Sequence, residues 1–287
     1  MFSLNELAIF KQSRFFNYVQ TRIESTSNSK IKHLVRMRKS SHYRKEVGSF
    51  LLEGKREIGA LLAGGHSLEE LYFLGNSQDE ELKNFISSIT EKGIPSLEVA
   101  EGPMRKISYR GEASKVIGVA KTWDLNLRIL RNESLDAVLI LDEIEKPGNL
   151  GAILRTAEAM GVKAVLLSDT SVDFFNPNVI RSSMGLFATQ PVFCGTKKEI
   201  LEWARKAELL VVGTSSNAKQ TIYEYDFQSR TALLMGSEST GLGQFWEKNV
   251  DAMVSIPMKG HGSSLNLNCA TAGILMEINR RKFNSKT

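Results

Sequence analysis

Between residues 135 and 282 the chain offers short, uninterrupted apolar runs. They are "AVLIL" at 137–141, "AVLLS" at 164–168, "LLVVG" at 209–213 and "ALLM" at 232–235, with stretches of helical spacing between them. A strand that is apolar at nearly every position has both faces covered, unlike an alternating strand with one face in water. Such strands alternating with helices give a mostly parallel sheet with helices on both sides, so residues 135–287 read as an α/β domain. Within it "DAVLILDEI" is a strand, "NLGAILRTAEAMG" a helix ending on Gly161, "VKAVLLSD" a strand and "NPNVIRSSMG" a helix. "TQPVFC", the helix "KKEILEWARKAE", the strands "LLVVGTS" and "RTALLMGSE", the helix "GLGQFWEKN", the strand "AMVSIPM" and a long final helix follow. Ligands of such sheets collect beyond the carboxyl ends of the strands, here the loops after Leu141, Val212, Met235 and Pro257.

Residues 21–122 are organised differently. The segments "SFLLEG", "REIGALLAGG", "LEELYFLG", "LKNFISSITEKG", "PSLEVA" and "VIGVAKT" alternate strand and helix across Gly-rich turns, as in a small separate α/β domain. A linker over residues 123–134 joins the two. Residues 1–20, with Phe2, Phe10, Phe15, Phe16 and Tyr18, form an extension expected to be a helix that packs on another domain or subunit. At 287 residues, 42% hydrophobic, the chain can fill both cores.

Other classes are disfavoured. No apolar run nears the roughly 18–20 residues of a membrane helix, so no membrane association is expected. The first residues lack the pattern of a secretory signal, while Lys11, Arg14 and Arg22 outnumber Glu6 and leave an organellar presequence open. Cys194 and Cys269 stand far apart without a CxxC, pointing to a reducing cytoplasm. His33, His42, His66 and His261 show no metal-ligand spacing, so no metal is expected.

The net charge of +5 is unevenly placed, because "KIKHLVRMRKSSHYRK" at 30–45 holds seven Lys or Arg and no acid. Ile31, Leu34 and Val35 suit the buried face of a helix whose other face is basic and attracts a polyanion. Lys30, Lys32, Arg36, Arg38, Lys39 and Arg44, with Tyr43 and His42 interleaved, are the candidate nucleic-acid contacts; the plain alternative is a solvated helix face.

Three loops carry chemistry. In "LDEIEKPGNLGAILRTAEAMG", Pro147 and Gly148 make a turn, Asn149 suits an N-cap, and Arg155 stands about a turn and a half into the helix. In "LLMGSESTGLG", Gly236, Gly241 and Gly243 bracket Glu238 and let backbone groups meet a flat ligand. The third, "IPMKGHGSSLNLN", leads into the last helix. There a serine, Ser263 or Ser264, is expected to cap, leaving Asn266 unexplained inside the first turn of a helix apolar nearly all round. Neither GxGxxG nor GxxxxGK[ST] is present, which argues against a dinucleotide or P-loop enzyme.

The blocks "NLGAILRTAEAMG", "LLMGSESTGL" and "IPMKGHGSSLNLNCATAGILME" resemble, in order and spacing, the three motifs of the SpoU (TrmH-type) RNA ribose 2′-O-methyltransferases of the SPOUT class. The segment from Asn28 to Gly65 is similar to the small ribosomal-protein-like RNA-binding domain of ribosomal RNA members. The resemblance implies a trefoil knot in place of an ordinary doubly wound sheet, a homodimer, and S-adenosylmethionine as methyl donor. It implies cofactor contacts from Thr214, Gly236, Ile256, Met258 and Leu265, and Arg155 as essential, either as base or as phosphate clamp. Asn149, Glu238, Ser264 and Asn266 would orient nucleotide, ribose, arginine or cofactor. Ser239 departs from the glycine found in many members, which would strain the loop if positive φ is needed there. Ribosomal RNA is the expected substrate, with transfer RNA, or RNA binding without catalysis, as the alternatives.

Overall fold

The computed structural model describes residues 20–75, 78–131, 135–227, 230–262 and 264–284. The extension expected over residues 1–20 therefore lies outside the described residues except for its last, which opens a strand. The chain divides into two compact units, one of residues up to 123 with 175–177, the other of 124–174 with 178 onward.

The first unit holds β1 (Gln20–Ile23), α1 (Ser29–Lys39), α2 (Ser41–Val47), β2 (Ser49–Glu53), α3 (Lys55–Ala63), β3 (Leu68–Leu74), α4 (Glu80–Glu91), β4 (Ser96–Val99), α5 (Glu101–Ile107) and β5 (Val116–Lys121). Its sheet runs β1-β4-β3-β5-β2, with β5 antiparallel to both neighbours and the other pairs parallel. Asn28 starts α1 by accepting from the Lys30 amide at 2.9 Å. The helix then buries Ile31, Leu34 and Met37, three residues apart, against Leu51, Tyr72, Leu97 and Ile117 of the sheet. Each such burial contributes about 1.5–3 kcal/mol. Ser40 ends α1 and caps α2, its hydroxyl accepting from the Tyr43 amide at 3.1 Å.

The second unit holds β6 (Ala137–Asp142), α6 (Pro147–Ala159), β7 (Ala164–Ser168), α7 (Pro177–Ser182), β8 (Val192–Gly195), α8 (Lys197–Lys206), β9 (Leu210–Thr214), β10 (Gln220–Thr221), β11 (Thr231–Met235), α9 (Gln244–Asn249), β12 (Ala252–Ser255) and α10 (Leu267–Asn284). The sheet runs β10-β12-β9-β11-β6-β7-β8, and every pairing among the described residues is parallel. From β6 the chain steps outward to β8, crosses back to β9, inserts β11 between β9 and β6, and lays β12 beyond β9. Register sets Met235 beside Leu141 and Leu141 beside Leu167, so the carboxyl ends of these strands stand level. All five residues of β11 are buried, as continuous apolarity requires.

Two differences from the sequence reading concern this unit. Part of the stretch read as a linker is built into it: Leu127 is buried among Ile200 and Trp203, and the Leu125 carbonyl accepts from the Cys194 amide. The last helix is less enclosed than its composition suggested. Thr271, Ile274, Leu275 and Ile278 are buried, while Cys269, Gly273 and Met276, the last 59% accessible, face outward. α10 packs along α6, fixed at one end by the Thr156 hydroxyl donating to Asn268 Oδ1 at 2.8 Å and at the other by Asn279 donating to the Met160 carbonyl at 3.0 Å. Among the described residues no helix is long and apolar enough to cross a membrane.

Candidate active site

The loops after β6, β9, β11 and β12 all open onto one cavity of about 690 Å³, closed by the approach to α10. These are the four strand ends singled out by the position rule for parallel sheets. Asn149 comes from the first turn of α6, where Lys146 rather than Asn149 takes the cap position, Thr214 from the end of β9, Gly236 and Glu238 from the loop after β11, Ile256 and Met258 from the loop after β12, and Ser264, Leu265 and Asn266 from the approach to α10. Nine of the ten residues expected to bind the cofactor or to act in catalysis thus line one cavity.

The loop after β11 owes its shape to close backbone contact. Ser237 and Gly241 exchange two backbone hydrogen bonds at 3.1 Å, folding the loop over Gly236. A Cβ on Gly236 would lie 2.3 Å from the Gly241 carbonyl carbon, so only glycine fits beneath the fold. Gly241 takes φ +68, open to glycine at little cost. The Ser237 hydroxyl accepts from the Thr240 amide at 3.1 Å and closes the turn. Ser239 is not among the described residues with positive φ, so the strain expected from replacing glycine there does not arise.

This fold carries Glu238 to the centre of a relay. One carboxylate oxygen accepts from Asn149 Nδ2 at 2.6 Å, and the other from the Glu145 backbone amide at 3.3 Å. Asn149 Oδ1 in turn accepts from Asn266 Nδ2 at 3.3 Å. Asn266 Oδ1 accepts from the Asn268 amide at 3.0 Å, and its carbonyl accepts from the Ala270 amide at 2.9 Å. Asn266 is therefore the residue before the helix and its cap, rather than a misfit inside the first turn. Ser264 is not what starts α10: it is an exposed wall residue, and Ser263 lies outside the described residues.

The cavity also has apolar lining, from Ile256, Ile274, Met258 and Leu265; Leu265 is 45% accessible and offers surface that a flat ring can cover. The Thr214 hydroxyl donates to the Leu234 carbonyl at 3.2 Å, which leaves its backbone and methyl for the cavity.

Arg155 is the residue the structure does not bring in. It stands on the exposed side of α6 and is not part of the cavity wall. Sequence reasoning missed Glu145 and the buried Asp142. Asp142 ends β6, accepts from the Ser168 hydroxyl at 2.7 Å and lies 3.7 Å from Lys197 Nζ; burial pushes its carboxyl above the usual range. An acid closing an otherwise apolar strand was the available signal.

The basic block of the first unit is sorted by its contacts. Lys32, Arg36 and Lys39 are exposed, and Arg36 lies 4.0 Å above the Tyr43 ring. Lys30 is paired with Glu70 at 2.6 Å, and Arg38 donates to the Ser108 carbonyl. Arg44 must be withdrawn as a surface contact. It is 2% accessible and donates to the Met37 and Arg38 carbonyls at 2.7 and 3.1 Å, satisfying the end of α1. Among the described residues no group of three or more His, Cys, Asp or Glu could hold a metal.

Likeness to known proteins bears on this geometry. The SpoU rRNA Methylase family model matches residues 136–276, and that of the MRM3-like substrate binding domain matches residues 28–118. The chain is 32% identical over 243 residues to the 23S rRNA (guanosine-2′-O-)-methyltransferase RlmB of Ralstonia nicotianae, covering 82% of this chain and 96% of that one. It is 30% identical over 255 residues to the 23S rRNA (uridine(2479)-2′-O)-methyltransferase of Streptomyces viridochromogenes, covering 85% and 87%. Among solved structures, the AdoMet-bound rRNA methyltransferase from Sinorhizobium meliloti superimposes with a TM-score of 0.81 at 28% identity, over 91% of this chain and 98% of that one.

Proposed function

Because the chain belongs to the SpoU rRNA methylase family, we infer that its cavity binds S-adenosylmethionine and that the protein methylates a ribose 2′-hydroxyl of ribosomal RNA. The observation that carries this is the convergence of four strand-end loops on a cavity lined both by apolar side chains and by a carboxylate–asparagine relay. The residues present fit the cofactor. The volume lies in the range of roughly 300–1,000 Å³ typical of small-molecule pockets, and Ile256, Met258 and Leu265 offer a surface for the adenine. Gly236 brings backbone to the wall without a side chain. When bound, the cofactor supplies a methyl group made electrophilic by its sulfonium.

The chain's own work is orientation. Bringing the hydroxyl in line with that methyl can account for roughly 7–11 kcal/mol of a barrier. Glu238, with both oxygens engaged, fixes Asn149, and Asn149 fixes Asn266, so two amide groups are presented rigidly to the nucleotide. Arg155 binds a phosphate of the RNA beside the cavity. Its exposed place on α6 suits a clamp, and a guanidinium, charged at any ordinary pH, is a poor base. Lys32, Arg36 and Lys39 hold the RNA as well, in a division of labour in which residues 21–122 bind substrate and residues 135–287 catalyse. The base of the target nucleotide is not carried over, since one relative is named for guanosine and another for uridine.

The same reading includes a trefoil knot in the C-terminal segment, a homodimer and a cytoplasmic location. The outward face of α10, with Met276, Gly273 and Cys269, supports the dimer.

The test is transfer of labelled methyl from S-adenosylmethionine to ribosomal RNA transcripts, to transfer RNA and to the matching DNA. Ribosomal RNA should be labelled and DNA should not. Arg155→Ala should lower transfer by about ten- to hundredfold, the range expected for a lost charge-assisted bond. Cofactor affinity should stay within about threefold, because Arg155 is outside the cavity. Undiminished transfer would remove Arg155 from the mechanism; no cofactor binding by the wild type would leave an RNA-binding protein.

A further inference from the structure

Glu238 is held by a residue outside the three blocks that carry the family resemblance. Its second carboxylate oxygen takes the Glu145 backbone amide, and the Glu145 side chain accepts a hydrogen bond from the Ser239 hydroxyl. Glu145 belongs to the loop after β6 and Ser239 to the loop after β11. The two residues therefore cross-link the loops twice around Glu238, once through backbone and once through side chains. Both are exposed, so packing does not impose the contact. A hydroxyl donating to a carboxylate is among the stronger neutral-to-charged hydrogen bonds, and here it restrains the one peptide group that orients Glu238. Neither side chain packs in the core, so losing the bond would alter geometry at the cavity rather than stability of the unit.

We propose that Glu145 and Ser239 form a latch that positions Glu238, and through it Asn149 and Asn266, for methyl transfer. The proposal rests on the reading of this cavity as the methyltransferase site. Positioning residues of this kind act on turnover more than on cofactor binding, because the latch works through Glu238 on Asn149 and Asn266 and makes no hydrogen bond to the apolar residues Ile256, Met258 and Leu265.

Two measurements on the full-length protein test it. In the first, amide hydrogen exchange is followed at residues 143–149 and 237–241 in wild type, Ser239→Ala, Glu145→Ala and the double variant. Exchange in both loops should speed by about tenfold in each single variant and no further in the double, with Ser239→Thr restoring protection. Exchange unchanged in both single variants would overturn the latch, whether or not the protein transfers methyl groups. In the second, kcat should fall about fivefold in each single variant and no more in the double, with KM for S-adenosylmethionine within about twofold of wild type and Ser239→Thr near wild type. Losses that multiply in the double variant, or that fall on KM with kcat intact, would overturn the positioning role. A wild type that shows the coupled exchange but transfers no methyl group would keep the latch and sink the functional reading instead.

Discussion

Gly236 shows how one residue can be dictated by its neighbour. The loop folds back so that the Gly241 carbonyl lies where a Cβ would point, and the cavity wall at this place is bare backbone. Gly236→Ala should force the loop open and weaken cofactor binding by about ten- to hundredfold, the equivalent of an overpacking cost of about 1–3 kcal/mol. Calorimetry checks the affinity and circular dichroism the fold; unchanged affinity would mean that the loop does not shape the cofactor site. The sequence pointed to this glycine but not to its reason, since the close approach is to a residue five places on. Asn266 was legible in the opposite way. Its poor helix propensity marked it as special, yet the boundary placed two or three residues too early turned a cap into an anomaly. Glu145 was not legible at all, because its backbone amide meets Glu238 and its side chain meets Ser239, both on a distant loop, and no local pattern records either contact.

At the level of elements, apolar spacing located α1, and its buried face is the expected one but for Met37 in place of Val35. The outward face was over-read. Charge alone does not distinguish an arginine in water from one folded back on the end of its neighbouring helix, and the short turn at Ser40 is what brings Arg44 under α1. Replacing Lys32, Arg36 and Lys39 together by Ala should weaken RNA binding and reduce the slope of log K against log salt by roughly 2, the change expected when about three phosphates of a single strand are no longer neutralised. Arg44→Ala should do the reverse. It strips two helix-end carbonyls of their donor, lowers stability by about 1–3 kcal/mol and leaves the salt slope alone. Filter binding across a salt series and thermal unfolding separate the two; a shallower slope in Arg44→Ala would return that residue to the RNA surface.

For the whole molecule, the parallel sheet could be read from strands without polar positions, and the two-unit division from the change in pattern near residue 123. Strand order could not. That β6 lies beside β11 follows from where a strand can be inserted between two already placed, which no local propensity encodes. Because the cavity is built within one unit, residues 124–287 made as a separate protein should bind S-adenosylmethionine within about threefold of the full chain and lose most RNA affinity. Equal RNA affinity in the separate unit would move substrate recognition away from residues 20–123.

The wall of the cavity is drawn from segments that begin at residue 146 and end at residue 274, brought together by non-local parallel pairings and by the side-chain relay. Contacts so far apart in the chain are costly to close, and the site is complete only in the folded unit. A bound cofactor then stabilises the complete unit alone, by RT ln(1 + [L]/Kd). In a cell, starvation for the methyl donor would thus shorten the life of the protein as well as idle it, linking its abundance to the supply of the molecule it consumes.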